Sequence, residues 1–228
     1  MAVNERFESL SNAGMPSAAV FKYPVRGLYA ITPDCADTND LLRRVRLALA
    51  GGAQALQYRS KSATAELRLT QAAALRELTR EFGATFIVND DAQLAARVEA
   101  DGVHLGARDE DIATARRTLG VHKIIGISCY NRLSLAHDAV AAGADYVAFG
   151  TFFPSSVKPD AMVAGMELLQ QARAGLAMPL VAIGGITPRN GALLAQAGAD
   201  AVAVISSLFD APDITATAQE FSKLFIRT

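Results

Sequence analysis

Apolar residues along this chain fall into two kinds of run, and the two kinds alternate. One kind is short and unbroken, as in Leu28-Tyr-Ala-Ile31, Phe86-Ile-Val88, Tyr146-Val-Ala-Phe149 and Ala201-Val-Ala-Val204, with no polar residue at every second position. Runs of that sort read as strands covered on both faces, the pattern of a parallel sheet. The other kind repeats apolar positions three and four apart, as in Leu41, Leu42, Val45 and Leu49, and reads as helices with one covered face. Strands are predicted over residues 27–33, 53–59, 85–89, 102–106, 123–129 and 146–150, with two more in the stretch 179–209. Helices are predicted from a cap at Asn39 or Asp40 to residue 50, then over 64–82, 92–98, 110–119 and 132–142. After an irregular stretch ending near residue 163 come a helix to 174 and two more over 190–197 and 214–225.

Eight strands alternating with eight helices argue for a parallel sheet, and the number argues for closure. The expected fold is one (β/α)8 TIM barrel over residues 25–228. Residues 1–24 form a short amino-terminal extension without periodicity, expected to be mobile. The chain also echoes itself before alternate strands: Gly52-Ala-Gln, Gly143-Ala-Asp and Gly198-Ala-Asp, with Asp101-Gly-Val-His a weaker copy. A recurring βαβα unit would produce that spacing.

Composition narrows the function more than the fold. The 228 residues suit one barrel of roughly 250 residues without large insertions. A formal net charge of −1 supplies no general field for nucleic acid or an anionic membrane. No apolar run approaches the ~20 residues of a membrane span, and the amino terminus has no apolar signal core. A cytoplasmic location is expected. Cys35 and Cys129, the two cysteines, suit thiols in a reducing compartment.

Barrel enzymes work at the carboxyl ends of their strands, and reading those ends isolates the polar candidates. After the second strand, Gln57, Arg59 and Lys61 alternate with Tyr58 and Ser60, so an amide and two cations share one face and suit an anion with several oxygens. After the third and fourth strands come Asn89-Asp90-Asp91, and His104 followed by Asp109. Asp90 and Asp109 have two readings. They cap the helices that follow, or they converge on a hard cation such as Mg²⁺. Ser128 and Cys129 end the fifth strand, and no histidine is placed by sequence to activate the thiol. Gly184–Gly185 and Ser206–Ser207 end the last two strands and suit a phosphate cup.

In this order the segments Gln57-Tyr-Arg-Ser-Lys61, Asn89-Asp90, His104-Leu-Gly-Ala-Arg-Asp109, Gly126-Ile-Ser128, Pro154-Ser-Ser-Val-Lys158, Ile183-Gly-Gly-Ile186 and Ile205-Ser206 resemble the thiamine-phosphate synthase family. The resemblance covers the chain from about residue 27. It implies an enzyme that joins hydroxymethylpyrimidine diphosphate to thiazole phosphate and releases diphosphate, with Mg²⁺ at Asp90 and Asp109. It also implies that Gln57, Arg59, Lys61, Asn89 and Lys158 hold the pyrimidine diphosphate, with Tyr58 and Ser60 in the same binding segment. Ser128 would lie near the reacting pyrimidine. Ser155, Ser156, Val157, Gly185, Ile205 and Ser206 would hold the thiazole phosphate. Arg59, Lys61 and Lys158 would neutralise the leaving diphosphate, so that no protein nucleophile is needed.

The chain departs from the family pattern at Ala107, where Gln is usual. It departs again at Ser155 and Val157, where Thr is frequent, and at Cys129-Tyr130, where a related tautomerase carries histidine. The substrates implied are two phosphorylated small molecules, without nucleic acid or membrane, and a homo-oligomer is compatible with this reading. Two rival readings use the same cup: an aldolase or isomerase with a Schiff base on Lys61, and a non-catalytic barrel that binds thiazole phosphate.

Overall fold

The apolar runs become eight short strands: β1 (Gly27–Ile31), β2 (Ala55–Tyr58), β3 (Thr85–Asn89), β4 (Gly102–Leu105), β5 (Ile124–Tyr130), β6 (Tyr146–Gly150), β7 (Leu180–Ile183) and β8 (Ala201–Val204). The computed structural model describes residues 25–106, 109–154 and 164–225, so the extension over 1–24 lies outside the described residues. Each strand runs parallel to its sequence neighbours, and β8 pairs back on β1 from Gly27↔Ala201 to Ala30↔Val204, closing the barrel. Inward positions such as Tyr29, Ala55, Ile87, Ile124, Tyr146 and Val181 form one cluster inside it. Outward positions such as Leu28, Leu56, Phe86, Val103, Val147 and Val202 pack under the helices in a second cluster. Burial on both faces is why the strands show no apolar/polar alternation.

The helices are α1 (Thr38–Ala50), α2 (Ala65–Phe82), α3 (Ala92–Arg97), α4 (Ile112–Leu119), α5 (Leu133–Ala141), α6 (Met166–Gly175), α7 (Pro188–Gln196), α8 (Ser206–Phe209) and α9 (Ile214–Lys223). Two details correct the sequence reading. The cap of α1 is Asp37, whose carboxylate accepts from Asn39 N and Asp40 N, so the helix starts before the residues expected to cap it. And α8 was not expected, because Leu208 and Phe209 extend the apolar run of β8. In the structure the chain turns at Ile205, and both side chains are buried.

The sequence echo has a physical cause at the amino-terminal face of the barrel. Asp101 precedes β4; its N–H donates to Phe86 O at 2.8 Å and its carboxylate accepts from Phe86 N at 2.8 Å. Asp145 before β6 does the same with Ile125, and Asp200 before β8 with Leu180, every bond at 2.8 Å. Each carboxylate also takes a guanidinium from the helix before the preceding strand: Arg76 of α2, Arg116 of α4 and Arg173 of α6, at 2.7 to 2.9 Å. The aspartate thus locks strand register and docks a helix at once. Before β2 the place is taken by Gln54, whose N–H donates to Leu28 O at 3.0 Å. These clamps hold one end of the barrel, leaving the other end for a site.

Candidate active site

The carboxyl ends of the strands surround a cavity of about 880 Å³, lined by residues from all eight strands and the loops that follow them. At the end of β2, Gln57, Arg59 and Lys61 line it as the alternation predicts. Tyr58 and Ser60 point elsewhere. The Tyr58 ring is buried on the helix side with its hydroxyl donating to Gln71 Oε1 at 2.9 Å, and Ser60 Oγ donates to Asp34 at 3.3 Å. The strict period of the strand that aims the cations inward turns these two outward, so neither lines the cavity.

Two residues after β1 set the path of this cationic segment. Thr32 Oγ1 accepts from Arg59 N at 2.9 Å and donates to Arg59 O at 3.0 Å. Asp34 accepts from Lys61 N at 2.6 Å. Burial works to raise the Asp34 pKa, but hydrogen bonds from the Lys61 and Ser62 backbone and from Ser60, with the Arg59 charge, bring it below the usual carboxylate range. Sequence reasoning missed both. The signal available was a Thr-Pro-Asp turn directly after an apolar strand, which reads first as a simple stop.

The aspartates after β3 and β4 separate into caps and site residues. Asp91 caps α3 through Leu94 N and pairs with Arg68 at 2.9 Å; Asp111 caps α4 through Thr114 N. With both caps taken, Asp90 and Asp109 are left to line the cavity. Asp90 sits in left-handed backbone (φ 63°), which turns its side chain back over the barrel mouth. Asp109 accepts from Gly106 N at 2.5 Å. The Asp90 carboxyl is pushed up first by burial, then by its hydrogen bond with Asp109 and by the Asp109 charge. A pair of carboxylates that hinder each other's ionisation fits a hard, oxygen-ligated cation, which would relieve the conflict. Among the described residues no third His, Cys, Asp or Glu joins them, so a cation there would keep positions for water or ligand oxygens.

Behind the charged rim lies a neutral polar chain. Gln57 Nε2 donates to the Tyr29 hydroxyl at 2.9 Å, and the Tyr29 and Tyr146 hydroxyls meet at 2.9 Å. Tyr146 reaches His104 Nδ1 at 2.8 Å, and His104 Nε2 reaches Ser128 Oγ at 2.9 Å. Burial lowers the His104 pKa to about 4, against a weaker pull from Asp109, so the imidazole is neutral at pH 7. The tyrosines were missed in the sequence because each sits within an apolar strand and reads as core. A possible clue was Gly126, whose strand neighbour is Tyr146 and where a Cβ would collide with the Tyr146 ring. Cys129 faces the helix-side core, and burial pushes its thiol up to about 12; it is no nucleophile. Tyr130, one of the departures from the family pattern, lines the cavity rim at 41 % exposure.

Across the mouth, Gly184, Gly185, Ile205, Ser206 and Ser207 line the cavity, and Asn89 and Ser128 line its other walls. Gly184 and Gly185 have φ of 102° and 62°, and a Cβ on Gly185 would collide with the carbonyls of Phe153 and Pro154. The loop after β6 lies that close because Phe152 N donates to Ile183 O and Phe153 N to Gly184 O, at 3.2 and 3.1 Å. Glycine is needed both for its conformation and for the approach of the neighbouring backbone. Ser155, Ser156, Val157 and Lys158, and the departure at Ala107, lie outside the described residues.

The family model for thiamine monophosphate synthase matches residues 28–208. The thiamine-phosphate synthase of Methylobacillus flagellatus is 56% identical over 202 residues, covering 89% of this chain and 96% of that protein. The thiamine-phosphate synthase of Chromobacterium violaceum is 55% identical, with 88% and 97% covered. Among solved structures, the thiamine phosphate pyrophosphorylase from Pyrococcus furiosus superposes with a TM-score of 0.78 at 38% identity, covering 87% of this chain and 95% of that one. With these matches, and with a closed barrel, a charged wall and a glycine cup in the expected order, this chain belongs to the thiamine monophosphate synthase family.

Proposed function

We propose that the cavity binds the two phosphorylated precursors of thiamine phosphate on opposite walls, with the diphosphate at Arg59, Lys61, Asp90 and Asp109 and the thiazole phosphate at Gly185, Ile205 and Ser206. As a member of its family the chain is a transferase of thiamine biosynthesis. The observation that carries the reading is the pairing of cations with a mutually repelling carboxylate pair on one wall of a cavity that holds a neutral glycine-serine cup on the other. A lone phosphate needs only the cup. The second wall suits a metal-bound diphosphate.

Asp90 and Asp109 would hold Mg²⁺, which supplies charge neutralisation to diphosphate oxygens when bound. Arg59 and Lys61, just beyond β2, line the same wall and oppose the charge that grows on the diphosphate, a role the family resemblance also gives to Lys158. The bond from the pyrimidine methylene carbon to the diphosphate oxygen breaks and its electron pair leaves with diphosphate. The thiazole nitrogen then gives its lone pair to the methylene carbon, forming the C–N bond of the thiazolium. Gln57, Asn89 and Ser128 orient the pyrimidine, and the cup fixes the distance of the acceptor. Both ring nitrogens of His104 are engaged, by Tyr146 and Ser128, and the Cys129 thiol sits in the helix-side core, so neither is presented to the reacting carbon.

The test mixes the protein, Mg²⁺ and both precursors, and measures thiamine phosphate and diphosphate. Formation of the two products in equal amounts supports the reading. No product with authentic precursors and metal refutes it.

A further inference from the structure

The chain Gln57–Tyr29–Tyr146–His104–Ser128 runs across the barrel interior on four hydrogen bonds of 2.8 to 2.9 Å. Gln57, Tyr29, His104 and Ser128 line the cavity, and Tyr146, which does not, links Tyr29 to His104. Gln57, Tyr29, Tyr146 and His104 are all buried, at 3%, 1%, 0% and 8% exposure. The barrel makes specific room for it. His104 on β4 and Tyr146 on β6 are both register partners of Gly126 on β5. Because Gly126 lacks a Cβ, the Tyr146 ring crosses over β5 and stacks on the imidazole, centroids 5.5 Å apart at 23°. The Tyr29 ring braces it edge-on at 6.2 Å and 74°.

Proton counting gives the chain a direction. A tyrosine hydroxyl has one proton. Tyr29 receives the Gln57 amide proton, so its own proton goes to the Tyr146 oxygen. Tyr146 then donates to His104 Nδ1. A neutral imidazole that accepts at Nδ1 carries its proton on Nε2, and donates from there to Ser128 Oγ. The Ser128 proton is left over, next to the cavity. The reverse order requires the Gln57 amide oxygen at Tyr29, and it would turn the Ser128 lone pairs toward the ligand.

We propose that Tyr29 and Tyr146 are positioning residues that fix His104 as its Nε2–H tautomer and thereby hold Ser128 as a hydrogen-bond donor toward an acceptor atom of the ligand. This rests on the reading that Ser128 faces the reacting pyrimidine. The chain acts through order alone: no proton is transferred along it, and every buried member has a partner.

The experiment reads the tautomer directly. The chain has three histidines, and His122 and His137 are exposed, so ¹⁵N-labelled histidine gives a short spectrum in which His104 is assigned by its loss in His104→Gln. Nε2–H in the wild-type protein at neutral pH is the expected result; Nδ1–H overturns the proposal without recourse to any variant. Tyr146→Phe removes the donor to Nδ1, so the tautomer preference is lost and kcat falls by about 10- to 100-fold, the range for partners that orient a functional group. Tyr29→Phe leaves the Tyr146 hydroxyl donating to His104 Nδ1, so the tautomer persists and the loss is smaller. A Tyr146→Phe protein that loses kcat but keeps Nε2–H overturns the proposal in favour of packing. Full activity of Ser128→Ala overturns the ligand-facing role on which it rests. That failure is distinct, because the wild-type tautomer would still be Nε2–H.

Discussion

The Thr32 hydroxyl both accepts from Arg59 N, at 2.9 Å, and donates to Arg59 O, at 3.0 Å. One side chain therefore satisfies the two main-chain groups of a cation at the cavity wall, just beyond the last residue of β2. Thr32 itself is fully buried. Replacing it by valine keeps the shape and orphans both groups, so stability should fall by about 1–3 kcal/mol. The guanidinium loses its fixed mounting, and we expect kcat/KM to fall about tenfold, by analogy with other orienting partners. Denaturant melts with steady-state kinetics on the folded protein check this; unchanged kinetics would show that Arg59 needs no support from β1.

Removing a charged group from the diphosphate wall should have a larger effect. Arg59→Ala and Asp90→Ala are each expected to lower kcat/KM at least ~100-fold with the fold intact, since a single preorganised charge contact is worth about 3–4 kcal/mol in the transition state. Circular dichroism verifies the fold. Near-normal rates in either variant would remove that residue from the proposed site.

Asp90 and Asp109 also make a prediction about stability. The folded protein raises the Asp90 pKa, chiefly by burial, so it binds that proton more tightly than the unfolded chain does. The contribution of Asp90 is therefore most favourable below the ordinary carboxyl pKa of about 4 and is lost as pH rises through its raised value. Metal-free Asp90→Asn protein should melt higher than the metal-free wild type at pH 7 and show a flatter pH dependence. Added Mg²⁺ should raise the melting temperature of the wild type and not that of Asp90→Asn. Equal responses to Mg²⁺ would place the ion elsewhere.

The clamps at the opposite face should affect stability without affecting catalysis. Arg76 and Asp101 side chains are 13% and 5% exposed, Arg116 and Asp145 24% and 25%, Arg173 and Asp200 35% and 36%. Breaking a buried pair by removing one partner costs about 3–5 kcal/mol, and exposed pairs are worth roughly 0–1 kcal/mol. Asp101→Ala should therefore destabilise most and Asp200→Ala least, with KM unchanged in whatever fraction folds. A reversed order in denaturant midpoints would contradict the burial argument.

The barrel was readable in the sequence because its determinants are periodic and local. Leu28–Ile31 and Ala201–Val204 lack alternation, and that is what two-sided burial writes into a strand. The cations that follow β2 were readable for the same reason, since a period of two carried past the strand end sends Gln57, Arg59 and Lys61 to one face. Between capping and metal binding the sequence left Asp90 and Asp109 open. The structure separates them from the caps only because Asp91 and Asp111 occupy the cap positions. The Tyr29–Tyr146 contact spans 117 residues, and nothing local marks a tyrosine in an apolar strand as half of a pair. Thr32 was hidden by its setting, because a threonine before a proline announces a turn and not a partner for a residue on the next strand.

Gln54, standing where three other quarters of the barrel carry an ion-paired aspartate, gives the molecule an asymmetric response to its medium. Salt screens the ion pairs at the seams closed by Asp101, Asp145 and Asp200, most at the exposed Asp200. At the amino-terminal face the seam between β1 and β2 is joined by Gln54 and main-chain bonds, without an ion pair among the described residues, and the carboxylate of Asp34 lies at the other end, on Lys61 N. The cations proposed to meet a multiply charged substrate are thus mounted on the quarter of the framework whose far end is closed without an ion pair.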